Sequence, residues 1–153
     1  MQFDDKIGAI QQILTETNIG VLRRQAILKE LDIQKGQTII DIGCGGGHLV
    51  EEISKSIGTS GSAIGVDPSE FQIKTAKERC KNLSNVKFLC SNANDINIDE
   101  NSCDAVTFTQ TLEYINNVDE ALFAAKKLQK PKSIFVNIST LWNFFGFHGP
   151  EKE

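Results

Sequence analysis

The sequence predicts a single α/β domain with helices packed on both faces of a doubly wound, mostly parallel sheet. Three observations lead there. Short, near-continuous apolar runs alternate with stretches of helical periodicity, a glycine-rich turn follows the first run, and 153 residues leave room for one core. Successive parallel strands need crossovers long enough to hold a helix, which the alternation supplies. Strands that are apolar throughout, rather than at every second residue, belong to a sheet covered on both sides.

The elements follow in order. Phe3, Ile7, Ile10 and Leu14 recur at helical spacing and predict an amphipathic first helix. Asn18 is the expected cap of a second helix, with Val21, Leu22, Ile27, Leu28 and Leu31 on its apolar side and Gly36 opening the turn beyond it. Thr38–Ile42 is the first strand. Leu49, Val50 and Ile53 share one face of the helix after the glycine turn, and Gly58 to Gly61 breaks it. Ala63–Val66 is the second strand, stopped by Asp67-Pro68. Ser69 caps the next helix, whose inner face takes Phe71, Ile73 or the Lys74 stem, and Ala76. Val86–Cys90 and Asp104–Thr109 are strands three and four. A helix over 118–129 leads into strand five, Lys132–Ile138. The chain divides into N-terminal helices over 1–34, a core over 37–139 and an apolar tail over 140–153.

Composition excludes several classes. Charged residues make up 24% and hydrophobic residues 40%, ordinary proportions for a globular chain and not for a disordered one. A net charge of -4 argues against nucleic-acid binding through phosphate neutralisation. Arg23-Arg24 and the lysines at 126, 127, 130 and 132 read as solvated helix faces. Four cysteines at 44, 80, 90 and 103 form no CxxC pair, and His48 and His148 lie far apart, so no metal site is expected. Cys44, Cys90 and Cys103 read as small buried hydrophobes in a reducing compartment. No secretory leader and no membrane-length apolar run is visible, and the expectation is a cytoplasmic protein with no membrane partner.

Three chemistry-bearing features fall at the carboxyl ends of successive strands, where open parallel sheets bind ligands. The first is Asp41-Ile-Gly-Cys-Gly-Gly-Gly47, whose glycines permit a tight bend and close approach of a ligand. The second is Asp67, 20 residues after Gly47, where a carboxylate can accept from both ribose hydroxyls of an adenosine. Its plainer reading is a helix cap or a turn aspartate before Pro68. The third is Ser91-Asn-Ala-Asn-Asp95, in which Asn92 can meet an adenine edge or simply belong to a polar loop. A dinucleotide fingerprint, G-x-G-x-x-G, needs glycine at position 48, which is His. The acid at position 41 is unhelpful to a phosphate and suits a cationic amino-acid group. The ammonium and sulfonium of S-adenosylmethionine are both positive.

At these residues the sequence resembles the class I S-adenosylmethionine-dependent methyltransferases, in the small-molecule branch. TIIDIGCGGGHLVE (38–51) is similar to the family's first motif and AIGVDPS (63–69) to its second-strand motif. FLCSNANDINIDENSCDAVTFTQTLEYI (88–115) is similar to the segment spanning strands three and four, and RRQAILKELDIQKG (23–36) to the leading helix. The resemblance implies a Rossmann-like sheet of order 3-2-1-4-5, with S-adenosylmethionine as cofactor and S-adenosylhomocysteine as product. It implies that Gly43, Cys44, Gly45 and Gly47 face the methionine portion while Asp41 organises the turn. Asp67 would hold the ribose, Pro68, Asn92 and Ala93 the adenine, and Thr109 and Gln110 would line the cleft near the methyl group. Asn92 stands where the family usually has Asp. The family's sheet also continues past strand five with an antiparallel hairpin, for which too few residues follow Ile138, so a truncated or naturally shortened domain is expected. The apolar tail Leu141–Phe147 would cover the strand-five edge or dock on another chain as a homo-oligomer.

The function expected is methyl transfer to a small-molecule acceptor. Two rivals stand beside it: a non-catalytic cofactor-binding or subunit protein of the same fold, and an NAD-dependent oxidoreductase resting only on the Gly/Asp geometry. Displacement at a sulfonium needs positioning more than acid–base help, so the catalytic residues are left open. Glu113, Tyr114 and His148 are the available bases. The absence of N/D-P-P-Y after strand four disfavours amide or adenine N-methylation.

Overall fold

The computed structural model describes residues 12–139, which form a five-stranded, fully parallel sheet of order β3-β2-β1-β4-β5. Helix α1 (Asn18–Leu31) precedes β1 (Thr38–Ile42), α2 (His48–Ile57), β2 (Ser62–Asp67), α3 (Glu70–Arg79) and β3 (Val86–Cys90). Then come β4 (Cys103–Thr109), a short 3-10 turn (Leu112–Tyr114), α4 (Val118–Leu128) and β5 (Gln129–Ile138). The predicted doubly wound sheet and its strand order are thus observed. Residues 12–16 are helical, but Phe3, Ile7 and Ile10 of the predicted first helix and the tail over 140–153 lie outside the described residues.

The sheet has two apolar faces because side chains alternate along each strand. Ile39 joins Ile27 and Leu31 of α1, Leu49, Val50, Ile53 and Ile57 of α2, and Ile73 of α3 on the first face. Ile40 and Ile42 join Val66, Val106, Phe108 and, from α4, Ala125 and Leu128 on the second. Each fully buried aliphatic side chain contributes roughly 1.5–3 kcal/mol. Central β1 has isoleucine on both faces, with Ile39, Ile40 and Ile42 at most 1% exposed, so it is the axis of the core.

Several local expectations are corrected. The cap of α1 is Thr17, whose hydroxyl accepts the Gly20 N–H at 3.4 Å, and Asn18 is the first helical residue. Leu22 is 63% exposed, because the buried side of α1 runs through Gly20, Arg24, Ile27 and Leu31. Arg24 is therefore not a solvated residue. It is 8% exposed, its Nε donates to Glu52 Oε1 at 2.8 Å and its Nη1 to the Thr15 carbonyl at 2.6 Å. Phe71 is 37% exposed, and Gln72 takes the inner position beside Ile73 and Ala76. Lys130 lies in β5 rather than on a helix and donates to both oxygens of Asp104, at 2.8 and 2.9 Å. Lys132 is also on β5. Cys90, at the end of an edge strand, is exposed, while the other three cysteines are buried.

Candidate cofactor site

The sheet's carboxyl edge gathers the ends of β1, β2, β3 and β4. The glycine turn leaves β1 and immediately bonds sideways, with the N–H groups of Gly43 and Cys44 both donating to the Val66 carbonyl, at 2.7 and 2.9 Å. Gly47 has φ 78° and caps α2, whose first i→i−4 bond runs from Glu51 N–H to the Gly47 carbonyl at 2.9 Å. A Cβ at Gly47 would stand 2.8 Å from the Ala76 Cβ, so glycine there lets α2 and α3 approach. Gly45 differs. Its φ is 49°, yet the nearest atom to an added Cβ is Gln72 Oε1 at 4.0 Å. The space over Gly45 is open, which suits a closely approaching ligand.

Asp67 braces this turn. Its Oδ2 accepts the Gly45 N–H and its Oδ1 the Ser69 N–H, both at 2.9 Å. The plainer reading, a turn aspartate before Pro68, is therefore realised. Each carboxylate oxygen has a second lone-pair site, so the brace does not exhaust its capacity to accept. Burial pushes the Asp67 carboxyl above its ordinary value, opposed by the Ser69 and Gly45 N–H groups. The end of β3 is tied in as well, since Ser91 N–H donates to the Asp67 carbonyl at 3.1 Å. Pro68 is exposed beside it, with Cys90 Sγ 3.6 Å from its carbonyl oxygen. Asn92 is exposed and its carbonyl accepts the Asp95 N–H in a tight turn, whereas Ala93 packs against the second-face core.

After β4 the chain turns back over the site. Gln110 has φ 53°, and its backbone N–H donates to the Ile138 carbonyl at 2.7 Å. Thr111 packs directly on Gly43, and its hydroxyl donates to the Thr109 carbonyl at 3.0 Å. The Thr109 hydroxyl is buried without a hydrogen-bond partner among the described residues, a cost of roughly 1–3 kcal/mol if left so. Glu113 is half-buried in the 3-10 turn, Tyr114 is 38% exposed, and His148 lies outside the described residues.

Asp41 is 2% exposed and faces the first side of the sheet. Its Oδ1 accepts the Thr107 hydroxyl at 2.7 Å. Burial pushes its carboxyl up to about 7, the Thr107 hydrogen bond opposes this, and the charge of Asp67 adds to it. Cys44 is raised well above its ordinary value by burial and by the two acids, so its thiol is protonated and is no nucleophile at neutral pH. His48 is lowered by burial and by Arg79, against Glu16, whose carboxylate lies 3.4 Å from Nε2. Among the described residues no cluster of acids, cysteines and histidines could hold a metal ion, and no helix is long and apolar enough to cross a membrane.

This arrangement (a parallel 3-2-1-4-5 sheet, a glycine turn after its central strand, an acid after the next) coincides with a sequence-family match. A profile described as the methyltransferase domain matches residues 33–144. The chain belongs to that family. The resemblance to class I S-adenosylmethionine-dependent methyltransferases is thereby a family membership. The demethylmenaquinone methyltransferase of Staphylococcus carnosus is 32% identical over 117 residues, 76% of this chain and 48% of its own. The chain thus spans about half the length of the curated relatives it matches. A S-adenosylmethionine-dependent methyltransferase from Aquifex aeolicus superimposes with a TM-score of 0.78 at 25% identity, covering 90% of this chain and 73% of that one. The geranyl diphosphate C-methyltransferase of Streptomyces coelicolor, solved with S-adenosylhomocysteine, shares the fold at a TM-score of 0.72 and 18% identity, over 78% and 45% of the two chains.

The methyltransferase-domain sequence left three neighbours of the site unnoticed: Thr107, Thr111 and Gln72. Thr107 carried a signal, being the one polar residue inside the apolar run Ala105–Phe108. Gln72, 1% exposed, carried none, because glutamine on a helix is ordinarily read as outward-facing.

Proposed function

We propose that this protein transfers a methyl group from S-adenosylmethionine to a small-molecule acceptor. The observation that carries the reading is the Gly45–Asp67 brace: a backbone cradle and an acid locked together at the carboxyl ends of β1 and β2. The residues fit an adenosyl sulfonium ligand in three ways. Gly45 leaves open space at the turn, the Asp67 carboxylate retains acceptor sites for ribose hydroxyls, and the Thr109 hydroxyl lacks a partner among the described residues near where the methyl group would lie. Pro68, Asn92 and Ala93 would border the adenine, and Gly43, Cys44 and Gly47 the methionine portion. When bound, the cofactor supplies an activated methyl on a good leaving group. The chain's residues then bind, orient and desolvate, and effective molarity supplies up to about 7–11 kcal/mol of barrier lowering. Asp41, with no ion pair among the described residues, is the counter-charge for the ligand's ammonium group. Glu113 and Tyr114 after β4 are the bases available to an acceptor that must lose a proton.

The quinone for which these relatives are named, demethylmenaquinone, makes a lipophilic ring acceptor the first to test. Calorimetry with S-adenosylmethionine, S-adenosylhomocysteine and NAD checks the cofactor. Micromolar binding of the first two and none of NAD is expected, and the reverse would sink the reading. Turnover of a panel of acceptors by the full-length gene product then separates a catalyst from a non-catalytic binder. A homodimer through the β5 edge belongs to the same proposal and is read by sedimentation.

A further inference from the structure

Asp41 and Thr107 stand abreast in β1 and β4, 2% and 0% exposed, in the middle of the sheet. Threonine at such a position buries a hydroxyl that valine would spare, and 2.7 Å to Asp41 Oδ1 is where that hydroxyl is spent. Among the described residues, the other groups around Asp41 offer no compensating charge. Gly65 of β2, on its other side, has no side chain, and Asp67 at the end of β2 repels it. The Cys44 thiol in the turn is neutral, and His48 at the head of α2, lowered by burial and by Arg79, is engaged with Glu16.

We propose that Thr107 is a positioning residue of the cofactor site, fixing the Asp41 carboxylate at the foot of the glycine turn as counter-charge for the ligand's cationic amino-acid end. This rests on the function proposed above. The hydroxyl serves both protonation states. With Asp41 neutral, the carboxyl O–H donates to Thr107 Oγ1, and the Thr107 proton turns to the Ile40 carbonyl, 3.4 Å away. With Asp41 ionised, Thr107 donates to Oδ1. A bound cation favours the second state, so ligand uptake releases the carboxyl proton to solvent wherever the free protein holds it. Burial places that exchange near neutral pH.

The test uses S-adenosylhomocysteine, which keeps the ammonium and lacks the sulfonium. Its binding to the wild type, Thr107→Val and Thr107→Ser is followed by calorimetry from pH 6 to 8 in buffers of different ionisation heat. The Asp41 carboxyl is titrated in parallel by carbon NMR in the free protein. The wild type should bind about tenfold tighter at pH 8 than at pH 6 and release up to about one proton on binding. Thr107→Val, equal in shape but without the hydroxyl, should move the Asp41 midpoint up by about one pH unit and weaken binding at pH 7 about fivefold. Thr107→Ser should restore both. A Val variant that titrates and binds like the wild type overturns the role of Thr107. Wild-type binding independent of pH overturns the proton linkage and leaves the cofactor assignment standing, whereas no binding at any pH overturns both. Should Thr107→Val not fold, the wild-type carboxyl decides: a midpoint lowered by ligand supports the proposal, and an unmoved one refutes it.

Discussion

Asp41→Asn replaces an ionisable group inside the sheet with a neutral one of the same shape, keeping an oxygen to accept the Thr107 hydroxyl. The wild-type carboxyl is raised from 3.8 to about 7, chiefly by burial. That gap corresponds to a linkage energy of at most about 4 kcal/mol. The sign follows from the direction. The folded value lies above the unfolded one, so the stabilising contribution of the neutral acid is full below about pH 4 and is lost as pH rises through about 7. Between pH 4 and 8 the wild type should therefore lose up to about 4 kcal/mol relative to the Asn variant. Asp104, lowered by Lys130 and the Thr38 N–H despite some burial, also titrates but is present in both proteins and cancels in the difference, whereas Asp67, whose charge acts on Asp41, contributes a smaller part of it. Urea unfolding at fixed ionic strength across that range measures it. Stability curves that run parallel for the two proteins would refute the reasoning. The variant should also bind S-adenosylmethionine more weakly, an exchange of function for stability at one residue.

Other perturbations separate the parts of the site. Asp67→Ala should weaken S-adenosylmethionine binding at least about tenfold, as the loss of one charge-assisted contact implies, and unchanged affinity would remove Asp67 from the site. Gly47→Ala, at φ 78° and 2.8 Å from the Ala76 Cβ, should cost about 2–3 kcal/mol of stability by urea unfolding. Gly45→Ala, with open space at φ 49°, should cost only about 1 kcal/mol yet impair cofactor binding, and equal stability losses would contradict the distinction. Arg24→Ala strips donors from Glu52 and the Thr15 carbonyl and should lower stability by about 2 kcal/mol. A thiol reagent should label one cysteine of the native protein, Cys90, and four after denaturation.

The fold was largely legible in the sequence because local and global signals agreed. Thr38–Ile42 and Val86–Cys90 appear at their predicted bounds, since each is an apolar run closed by turn residues. The motif positions along the carboxyl edge were legible for the same reason. What failed were side-chain environments. Arg24 looked like half of a solvated basic pair, and nothing local announces that Glu52, 28 residues on, and the Thr15 carbonyl await it. Phe71, expected on the inner face, points outward because α3 is turned so that Gln72 comes beside Gly45, a tertiary placement that the hydropathy of α3 does not encode. The partnership of Asp41 with Thr107 depends on β1 and β4 register across 66 residues, which no local pattern encodes.

Gln110 joins the site to the outer strand of the sheet. A non-glycine residue in the left-handed region costs about 1–2 kcal/mol, and here two bonds to a single acceptor hold it: backbone N–H and side-chain Nε2 both donate to the Ile138 carbonyl, at 2.7 and 3.3 Å. The segment that closes over Gly43 is thus moored to the last residue of β5. A change at the far end of β5 is consequently felt, through Gln110 and Thr111, at Gly43 of the glycine turn.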